Sequence, residues 1–288
     1  MKNLTVNDFN FEWGTRTYVM GILNITPDSF SGDGLAERDL EVILEQARDF
    51  VDAGVDILDV GGESTRPGAA EVSTQEELDR VLPVIQALVG EFKTLISIDS
   101  YKSAVAREAV KAGASILNDV WGLRVDPVLG EVAQEAAAPL ILMHNRSNPN
   151  NAAIKEKLGG RYIGVEYDNL LEDVKSELLD SVALAHKAGV TDGQIILDPG
   201  IGFGKTVEQN LELVNRLSEI RDLGYPVLLG PSRKSFIGYT LDLPPDDRVE
   251  GTAAAVSVGI TRGADIVRVH DVREMIRITR MTDAIIRQ

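Results

Sequence analysis

The sequence predicts an α/β protein, a (β/α)8 TIM barrel that follows an N-terminal β-hairpin. Short apolar runs alternate eight times with amphipathic helical runs between residues 18 and 287. The apolar runs are continuous, which is typical of parallel strands that are buried on both faces. Because an open doubly wound sheet has roughly five or six strands, eight repeats favour a closed barrel.

The composition limits the class of protein. With 288 residues and 44% hydrophobic content, the chain is expected to bury one core, and no linker divides residues 1–288 into further domains. The net charge of −16 argues against a nucleic-acid partner, because phosphate backbones need a broad basic surface. Zero cysteines exclude disulfides and thiolate metal sites. Without an apolar run of about 20 residues or a secretory signal, we expect no membrane partner and a cytoplasmic location.

The predicted elements follow one another in a regular order. Residues 4–18 are expected to form a hairpin that turns at Trp13-Gly14. The predicted strands are residues 18–24, 55–61, 94–99, 115–119, 139–144, 194–199, 226–230 and 265–270. The predicted helices are residues 37–53, 74–91, 101–112, 126–137, 164–188, 207–223, 248–262 and 271–287. Four helices are expected to end at the glycine caps Gly54, Gly113, Gly189 and Gly263.

Polar residues and glycines cluster directly after the predicted strands. The clusters include LDVGGESTRPG (58–68), SIDS (97–100), LDPGIGFGK (197–205) and GPSRKSFIG (230–238). The carboxyl ends of barrel strands meet at one face, where the active sites of this fold lie. Long connections are also typical of binding loops, and here they span residues 25–36, 61–73, 145–163 and 230–247. The sequence therefore predicts an active site at this face.

Three acceptor side chains, Asp99, Asn118 and Asp198, end three different strands. Buried carboxylates are costly unless they are hydrogen-bonded, so this set is typical of a pocket for the N–H edge of a planar heterocycle. Alternative interpretations stay open for the two acids. Asp99 precedes a predicted helix and is also a candidate N-cap, and Asp198 precedes a proline and is also a candidate turn residue.

Four basic side chains come from three different strand ends: Arg66, Lys234, Arg268 and His270. Arginine binds phosphate or carboxylate through two parallel N–H groups, and lysine acts as a point charge, so the set is typical of a clamp for a diphosphate or a carboxylate. The alternative for each is an ordinary surface ion pair.

The glycine-rich run GIGFGK (200–205) resembles a phosphate loop only superficially, because it lacks the spacing of the Rossmann and P-loop motifs. We interpret its glycines as a means of bringing Phe203 over a flat ligand.

Asn24 ends the first strand of the barrel and is a candidate ligand of Mg²⁺, which takes few protein ligands when phosphates are present. The alternative is that Asn24 caps the turn TPDS (26–29). The three histidines are too scattered for a histidine metal cage. Of these, His144 is interpreted as a core residue and His186 as a helix-surface residue.

Six motifs occur together and in one order: MGILNITPDSFSGDG, DVGGESTRPGA, SIDSYKSAVAREAVKAGASILNDV, LDPGIGFGK, GPSRKSFIG and VRVHDV. Over about residues 18–275 they closely resemble dihydropteroate synthase, a folate-pathway family. After the fifth strand, LMHNRSNPNN departs from the family pattern of a second methionine and a Gly-Pro run. The departure is confined to this loop and leaves the six motifs intact.

The resemblance implies roles for particular residues. It implies a pterin pocket of Asp99, Asn118, Asp198 and Lys234. It implies a diphosphate site of Asn24, Arg66, Arg268 and His270, with Asn24 as the Mg²⁺ ligand. It implies a p-aminobenzoate site of Phe30, Thr65, Pro67, Phe203 and Ser235. Catalysis is assigned to Lys234, Arg268 and Asp99, and the family also implies a homodimer.

The implied reaction joins p-aminobenzoate to 6-hydroxymethyl-7,8-dihydropterin diphosphate and gives dihydropteroate and diphosphate. Two alternatives stay open from the sequence. A methyltetrahydrofolate-dependent corrinoid methyltransferase would share the acceptors for the pterin, but it would not need the SRKS and STRP runs. A catalytically silent homologue would bind the pterin without turning it over.

Overall fold

An eight-stranded parallel sheet, closed into a barrel, forms the centre of the molecule. The computed structural model describes residues 3–25, 37–64, 71–155, 157–163 and 165–287. The barrel strands are β3 (Tyr18–Asn24), β4 (Ile57–Gly61), β5 (Leu95–Asp99), β6 (Ile116–Asp119), β7 (Leu140–Met143), β10 (Ile195–Asp198), β11 (Leu228–Leu229) and β12 (Ile266–Val269). Leu197 closes the ring by donating its N–H to the carbonyl oxygen of Pro226 at 2.9 Å. The predicted (β/α)8 TIM barrel is confirmed.

Helices connect successive barrel strands and cover the outside of the sheet. They are α1 (Glu37–Ala53), α2 (Thr74–Glu91), α3 (Ser103–Ala112), α4 (Val128–Glu135), α5 (Leu170–Lys187), α6 (Val207–Asn215), α7 (Ser218–Arg221), α8 (Ser235–Leu241), α9 (Val249–Thr261) and α10 (Val272–Ile286). The four predicted glycine caps all have a left-handed backbone, as at Gly113, where φ is 114°. None of the helices in the described ranges is long and apolar enough to cross a membrane.

The N-terminal hairpin consists of β1 (Leu4–Val6) and β2 (Phe9–Phe11), with Val6 opposite Phe9. The turn is therefore Asn7-Asp8, and the predicted turn at Trp13-Gly14 is wrong. Asn7 has φ of 52°, and asparagine tolerates this conformation better than most side chains. The buried ring of Phe11 contacts Trp13 and Tyr18, with centroids 5.0 and 4.8 Å away, so the hairpin packs below the barrel interior.

Two predicted helices differ from the observed ones. The helix predicted at 164–188 begins only at Leu170, because the Asn169 side chain accepts a hydrogen bond from the Glu172 N–H at 3.3 Å and caps the first turn. The helix predicted at 207–223 is two helices, because the backbone leaves helical geometry at Arg216. Within the long connections the chain also forms elements that were not predicted: α8 and a second hairpin, β8 (Ala152–Lys155) and β9 (Gly159–Tyr162).

The barrel interior is built in layers, because alternate residues of a strand point inward. One apolar residue from each strand forms a buried inner cluster: Met20, Ile57, Leu95, Ile116, Ile141, Ile196, Leu228 and Ile266. Two residues further along, five of the strands carry polar side chains: Asp59, Ser97, Asn118, Asp198 and Arg268. These side chains form the floor of a pocket above the apolar cluster.

Candidate active site

Arg268 joins two acidic side chains on the pocket floor. Its Nε donates to Oδ2 of Asp59 and its Nη2 donates to Oδ2 of Asp99, both at 2.6 Å. Burial alone would lower the pKa of Arg268, but the two carboxylates outweigh burial and keep the guanidinium charged. Burial raises the pKa of Asp99 to about 7, and the positive charge of Arg268 only partly opposes this rise. Because two carboxylates share one guanidinium, the floor can carry negative charge toward a ligand.

The helix-cap interpretation of Asp99 is not supported. Helix α3 begins at Ser103, four residues later, and its N-cap residue Lys102 makes no side-chain cap. The N–H of Ser103 is instead bound by Oδ2 of Asp126 at 2.8 Å. The carboxylate of Asp99 is therefore committed to the pocket and not to the helix.

Asp59 is a pocket residue that the sequence interpretation missed. It is fully buried, and its Oδ2 accepts from Arg268 and also from the Asn118 amide at 3.3 Å. The spacing within the strand could have identified it. Asp59 follows the inward-facing Ile57 by two residues, as Asn118 follows Ile116, so both side chains point into the barrel. Asp59 thus fixes the orientation of Arg268 and of the Asn118 amide.

Asp198 has two functions in the structure. One oxygen, Oδ1, accepts the Gly200 N–H at 2.7 Å, so the turn interpretation holds for this half of the carboxylate. The other oxygen makes no hydrogen bond within the described residues. Burial raises the pKa of Asp198, and the charge of Lys234 acts against this rise. The second oxygen is therefore suited to accept a hydrogen bond from a ligand.

Lys234 stands beside Asp198 and reaches across to the loop that follows β10. Its Nζ donates to the carbonyl oxygen of Ile201 and lies 4.5 Å from the centroid of the Phe203 ring. Burial lowers the pKa of Lys234 to about 8, although Asp198 works in the opposite direction. A cation over an aromatic ring, next to a carboxylate, forms one wall of the pocket.

The loop 200–205 is held from below by the buried side chain of Lys205. Its Nζ donates to the carbonyl oxygens of Gly200 and Phe203, both at 3.0 Å, and lies 2.9 Å from Nδ1 of His144. Gly200 has φ of 69°, and a Cβ at this position would lie 1.8 Å from the His144 carbonyl oxygen. The glycines therefore serve close backbone approach, and they fix the place of the Phe203 ring.

The rim of the pocket is described only in part. Asn24 is exposed at the end of β3, and Ser235 is the first residue of α8. His270 follows β12, and its N–H and Nδ1 both lie 3.1 Å from the Ser232 hydroxyl oxygen. Four residues of the predicted sites lie outside the described residues: Phe30, Thr65, Arg66 and Pro67. His186 lies at the protein surface beside Asp192 and takes no part in the pocket.

The described pocket combines a floor of carboxylate and amide groups with a wall of aromatic and cationic groups. The floor accepts hydrogen bonds from a ligand edge that is rich in N–H donors, and the Phe203 ring offers a flat apolar surface. Arg268 and Lys234 provide positive charge at the same place. These features are chemically suited to a planar, nitrogen-rich heterocycle with an anionic substituent.

Comparison with known proteins gives the class and then the family. The family described as pterin binding enzyme matches residues 20–270, and the chain therefore belongs to the pterin-binding enzymes. It is 49% identical over 286 residues to dihydropteroate synthase of Clostridium beijerinckii, and the match covers 99% of this chain and 100% of that protein. It is 51% identical over 271 residues to dihydropteroate synthase of Bacillus subtilis, and the match covers 94% of this chain and 89% of that protein. Within the class, the chain belongs to the dihydropteroate synthase family.

Solved structures agree with this assignment. Dihydropteroate synthase from Clostridium difficile, determined in the presence of pteroic acid, has a TM-score of 0.87 and 49% identity, covering 96% of this chain and 100% of that chain. The Yersinia pestis enzyme, determined with a sulfonamide drug, has a TM-score of 0.89 and 39% identity, covering all of both chains. The function is that of a transferase in folate synthesis, as the sequence predicted.

Proposed function

We propose that Asp99, Asn118, Asp198 and Lys234 bind the pterin of 6-hydroxymethyl-7,8-dihydropterin diphosphate. The observation that carries this proposal is the convergence of buried acceptors from β5, β6 and β10 around Arg268, which matches the N–H edge of a pterin. Arg268 and His270, with Arg66, bind the diphosphate. p-Aminobenzoate lies over Phe203 and Ser235, with Phe30, Thr65 and Pro67. A sulfonamide would occupy the same position, because it resembles p-aminobenzoate in shape.

The proposed reaction begins with cleavage of the bond between the pterin methylene carbon and the diphosphate oxygen. The electron pair leaves with the diphosphate, whose charge is stabilised by the cationic side chains. The floor carboxylates stabilise the methylene cation that develops on the pterin. The amine of p-aminobenzoate then attacks this carbon and loses one proton, which gives dihydropteroate. No strong base is needed, because the leaving group departs first. Lys234 lies between the two substrates and, with Arg268 and Asp99, carries catalysis.

Mg²⁺ is the proposed cofactor, with Asn24 as its protein ligand. The side chain of Asn24 is exposed at the pocket rim and offers one amide oxygen. Within the described ranges there is no cluster of three or more acidic or histidine side chains that would hold a metal alone. This donor set fits an ion that arrives with the diphosphate and keeps several waters. When bound, Mg²⁺ would neutralise part of the charge of the leaving group.

We expect diphosphate with Mg²⁺ to strengthen p-aminobenzoate binding, because the connections 25–36 and 61–73 carry residues of both sites. The dissociation constant of p-aminobenzoate should fall at least about tenfold when both are present. Calorimetric titration with and without Mg²⁺ and diphosphate measures this. The protein should form dihydropteroate from p-aminobenzoate and the pterin diphosphate. Dihydropteroate formation should stop when Mg²⁺ is chelated. Equal p-aminobenzoate affinity in the two titrations would contradict ordered binding, and no turnover with Mg²⁺ would favour a silent homologue.

We also propose a homodimer that forms through α9 and α10. Four large apolar side chains are exposed on these helices: Val258, Met281, Ile285 and Ile286, at 40%, 63%, 60% and 40%. Helices α9 and α10 pack against each other, with the hydroxyl groups of Ser257 and Thr282 3.4 Å apart, so their exposed residues lie on the same side of the barrel. Clustered exposed apolar side chains are typical of a protein interface.

Met281→Glu combined with Ile285→Glu should convert the dimer to a monomer, because the change would bury charges at the interface. Sedimentation velocity measures the change. Val125→Glu is the matched control, since Val125 is 53% exposed and lies before α4, on the other side of the barrel. A parental protein that sediments as a monomer would contradict the proposal, and so would a double variant that stays dimeric.

A further inference from the structure

Arg233, the residue before Lys234, has an unusual backbone conformation. Its φ is 56°, in the left-handed region that residues other than glycine rarely adopt. The chain turns there from the end of β11 into α8, whose N-cap is Lys234. A strained residue persists only when its surroundings hold it in place, and such residues are concentrated at functional sites. The conformation of Arg233 sets the direction in which Lys234 leaves the backbone.

Every part of Arg233 is held by a neighbour. Its Nε and Nη2 donate to the two carboxylate oxygens of Asp271, at 3.0 and 2.5 Å. Its N–H donates to the hydroxyl of the fully buried Thr252 at 3.1 Å. Its carbonyl oxygen accepts from Nη1 of Arg248 at 2.8 Å. Asp271 is the N-cap residue of α10 and Thr252 lies in α9, so two outer helices fix one turn of the pocket wall.

Arg248 is itself buried, at 2% exposed, and within the described residues its side chain donates only to backbone carbonyl oxygens. Apart from the Arg233 carbonyl, it donates to those of Leu243 and Leu158, at 2.9 and 3.0 Å. Leu158 lies in the turn between β8 and β9. The turn at Arg233 is therefore tied to the far end of its own loop and to the neighbouring hairpin.

We propose that Arg233 is a positioning residue, which acts through its ion pair with Asp271 to aim the Lys234 ammonium between the two substrates. The inference rests on the role proposed above for Lys234. We do not assign Arg233 to diphosphate binding, because Asp271 occupies its Nε and Nη2 and its Nη1 lies 3.8 Å from a carboxylate oxygen of Asp246. Lys234, in contrast, has its ammonium on the Ile201 carbonyl and Phe203 ring, where a displacement of its backbone would move it away.

The test is a double-mutant cycle on steady-state kinetics with Arg233→Ala, Asp271→Asn and the double variant. Each single change should lower kcat by about tenfold, because a small displacement of a catalytic group is costly. The double variant should be no slower than the singles, since both remove the same ion pair. KM for the pterin diphosphate should stay within about twofold of the parent, because the floor acceptors are untouched. Arg233→Lys should recover most of the lost kcat, because a cation remains beside Asp271.

Arg216→Ala is the matched control for removing a half-exposed, bidentate arginine. Arg216 pairs with Glu219 through Nε and Nη2, at 2.7 and 3.0 Å, on the outside of the barrel. This variant should keep parental kcat. If Arg233→Ala also keeps it while Lys234→Ala is inactive, the positioning role is wrong and the role of Lys234 stands. A rise in KM for the pterin diphosphate without a fall in kcat would assign Arg233 to substrate binding. Parental activity of Lys234→Ala would overturn the catalytic role proposed for Lys234 in the pocket wall.

Discussion

Lys234→Ala should lose at least about a hundredfold in kcat/KM, which corresponds to roughly 2.7 kcal/mol of transition-state stabilisation. The ammonium lies beside Asp198, over the Phe203 ring and on the Ile201 carbonyl, so its removal takes a positive charge from the place where the substrates meet. Stability should change little, because the side chain lines a pocket and leaves the apolar cluster below it intact. Thermal melting and steady-state kinetics on the same preparation separate the two effects.

The pH dependence of kcat/KM gives a second measurement on Lys234. Burial lowers its pKa to about 8, so the free enzyme should lose this positive charge as the pH rises through about 8. The groups that face it are Asp198, Arg268 and Asp99, of which Arg268 stays charged throughout. The parental kcat/KM should therefore fall on the alkaline side, and the residual activity of Lys234→Ala should not. Lys111→Ala, which removes an exposed lysine from α3, is the control. Near-parental turnover of Lys234→Ala would overturn its catalytic role.

Asp198→Asn should weaken pterin binding by at least about tenfold, because a charge-assisted hydrogen bond is worth about 1.5–3 kcal/mol. This substitution separates the two functions of Asp198. An asparagine oxygen still accepts the Gly200 N–H, so the turn should persist, but the negative charge is gone. Calorimetric titration with a pterin measures the loss. Asp180→Ala, on the exposed face of α5, should bind the pterin as the parent does.

Asp198→Ala removes both the charge and the turn acceptor, so it should bind the pterin at least as weakly as Asp198→Asn and should melt at a lower temperature. If Asp198→Asn binds the pterin normally while folded, Asp198 is only a turn residue. The proposed acceptor floor would then be reduced to Asp99 and Asn118.

The fold was predictable because the pattern that specifies it is local and repeated. Continuous apolar strands recur in every unit and glycine caps in four of them, and α1 and α2 begin and end where the sequence predicts. The hairpin turn was not predicted correctly, because the prediction relied on the glycine at Trp13-Gly14, whereas Asn7-Asp8 also consists of turn-forming residues and Asn7 adopts the positive φ that the turn needs. The β8–β9 hairpin was not predicted either. It packs on α8 through Tyr239, whose hydroxyl lies 3.2 Å from the Gly159 carbonyl oxygen, and such a contact cannot be read from a local pattern.

Part of the candidate site was predictable from the sequence, and part of it was not. Asp99, Asn118, Asp198, Lys234 and Arg268 were recognised because each stands at a strand end or in a glycine-flanked loop, and the structure brings all five together. Asp59 was missed because it lies inside an apolar strand and two residues before its end. The anchoring of Arg233 by Asp271 and Arg248 depends on contacts between residues far apart in the chain, which sequence spacing does not reveal.

The layered interior has a consequence for how this chain tolerates insertions and deletions. In β4, β6, β10 and β12 the inward-facing apolar residue and the pocket residue are separated by two positions, as in Ile57 and Asp59 or Ile266 and Arg268. One added or removed residue within such a strand would turn the pocket group toward the helices and bring an apolar neighbour, such as Leu58 or Val267, to the ligand. Length changes should therefore accumulate in the connections between helices and strands, while the strands keep a fixed length over evolutionary time.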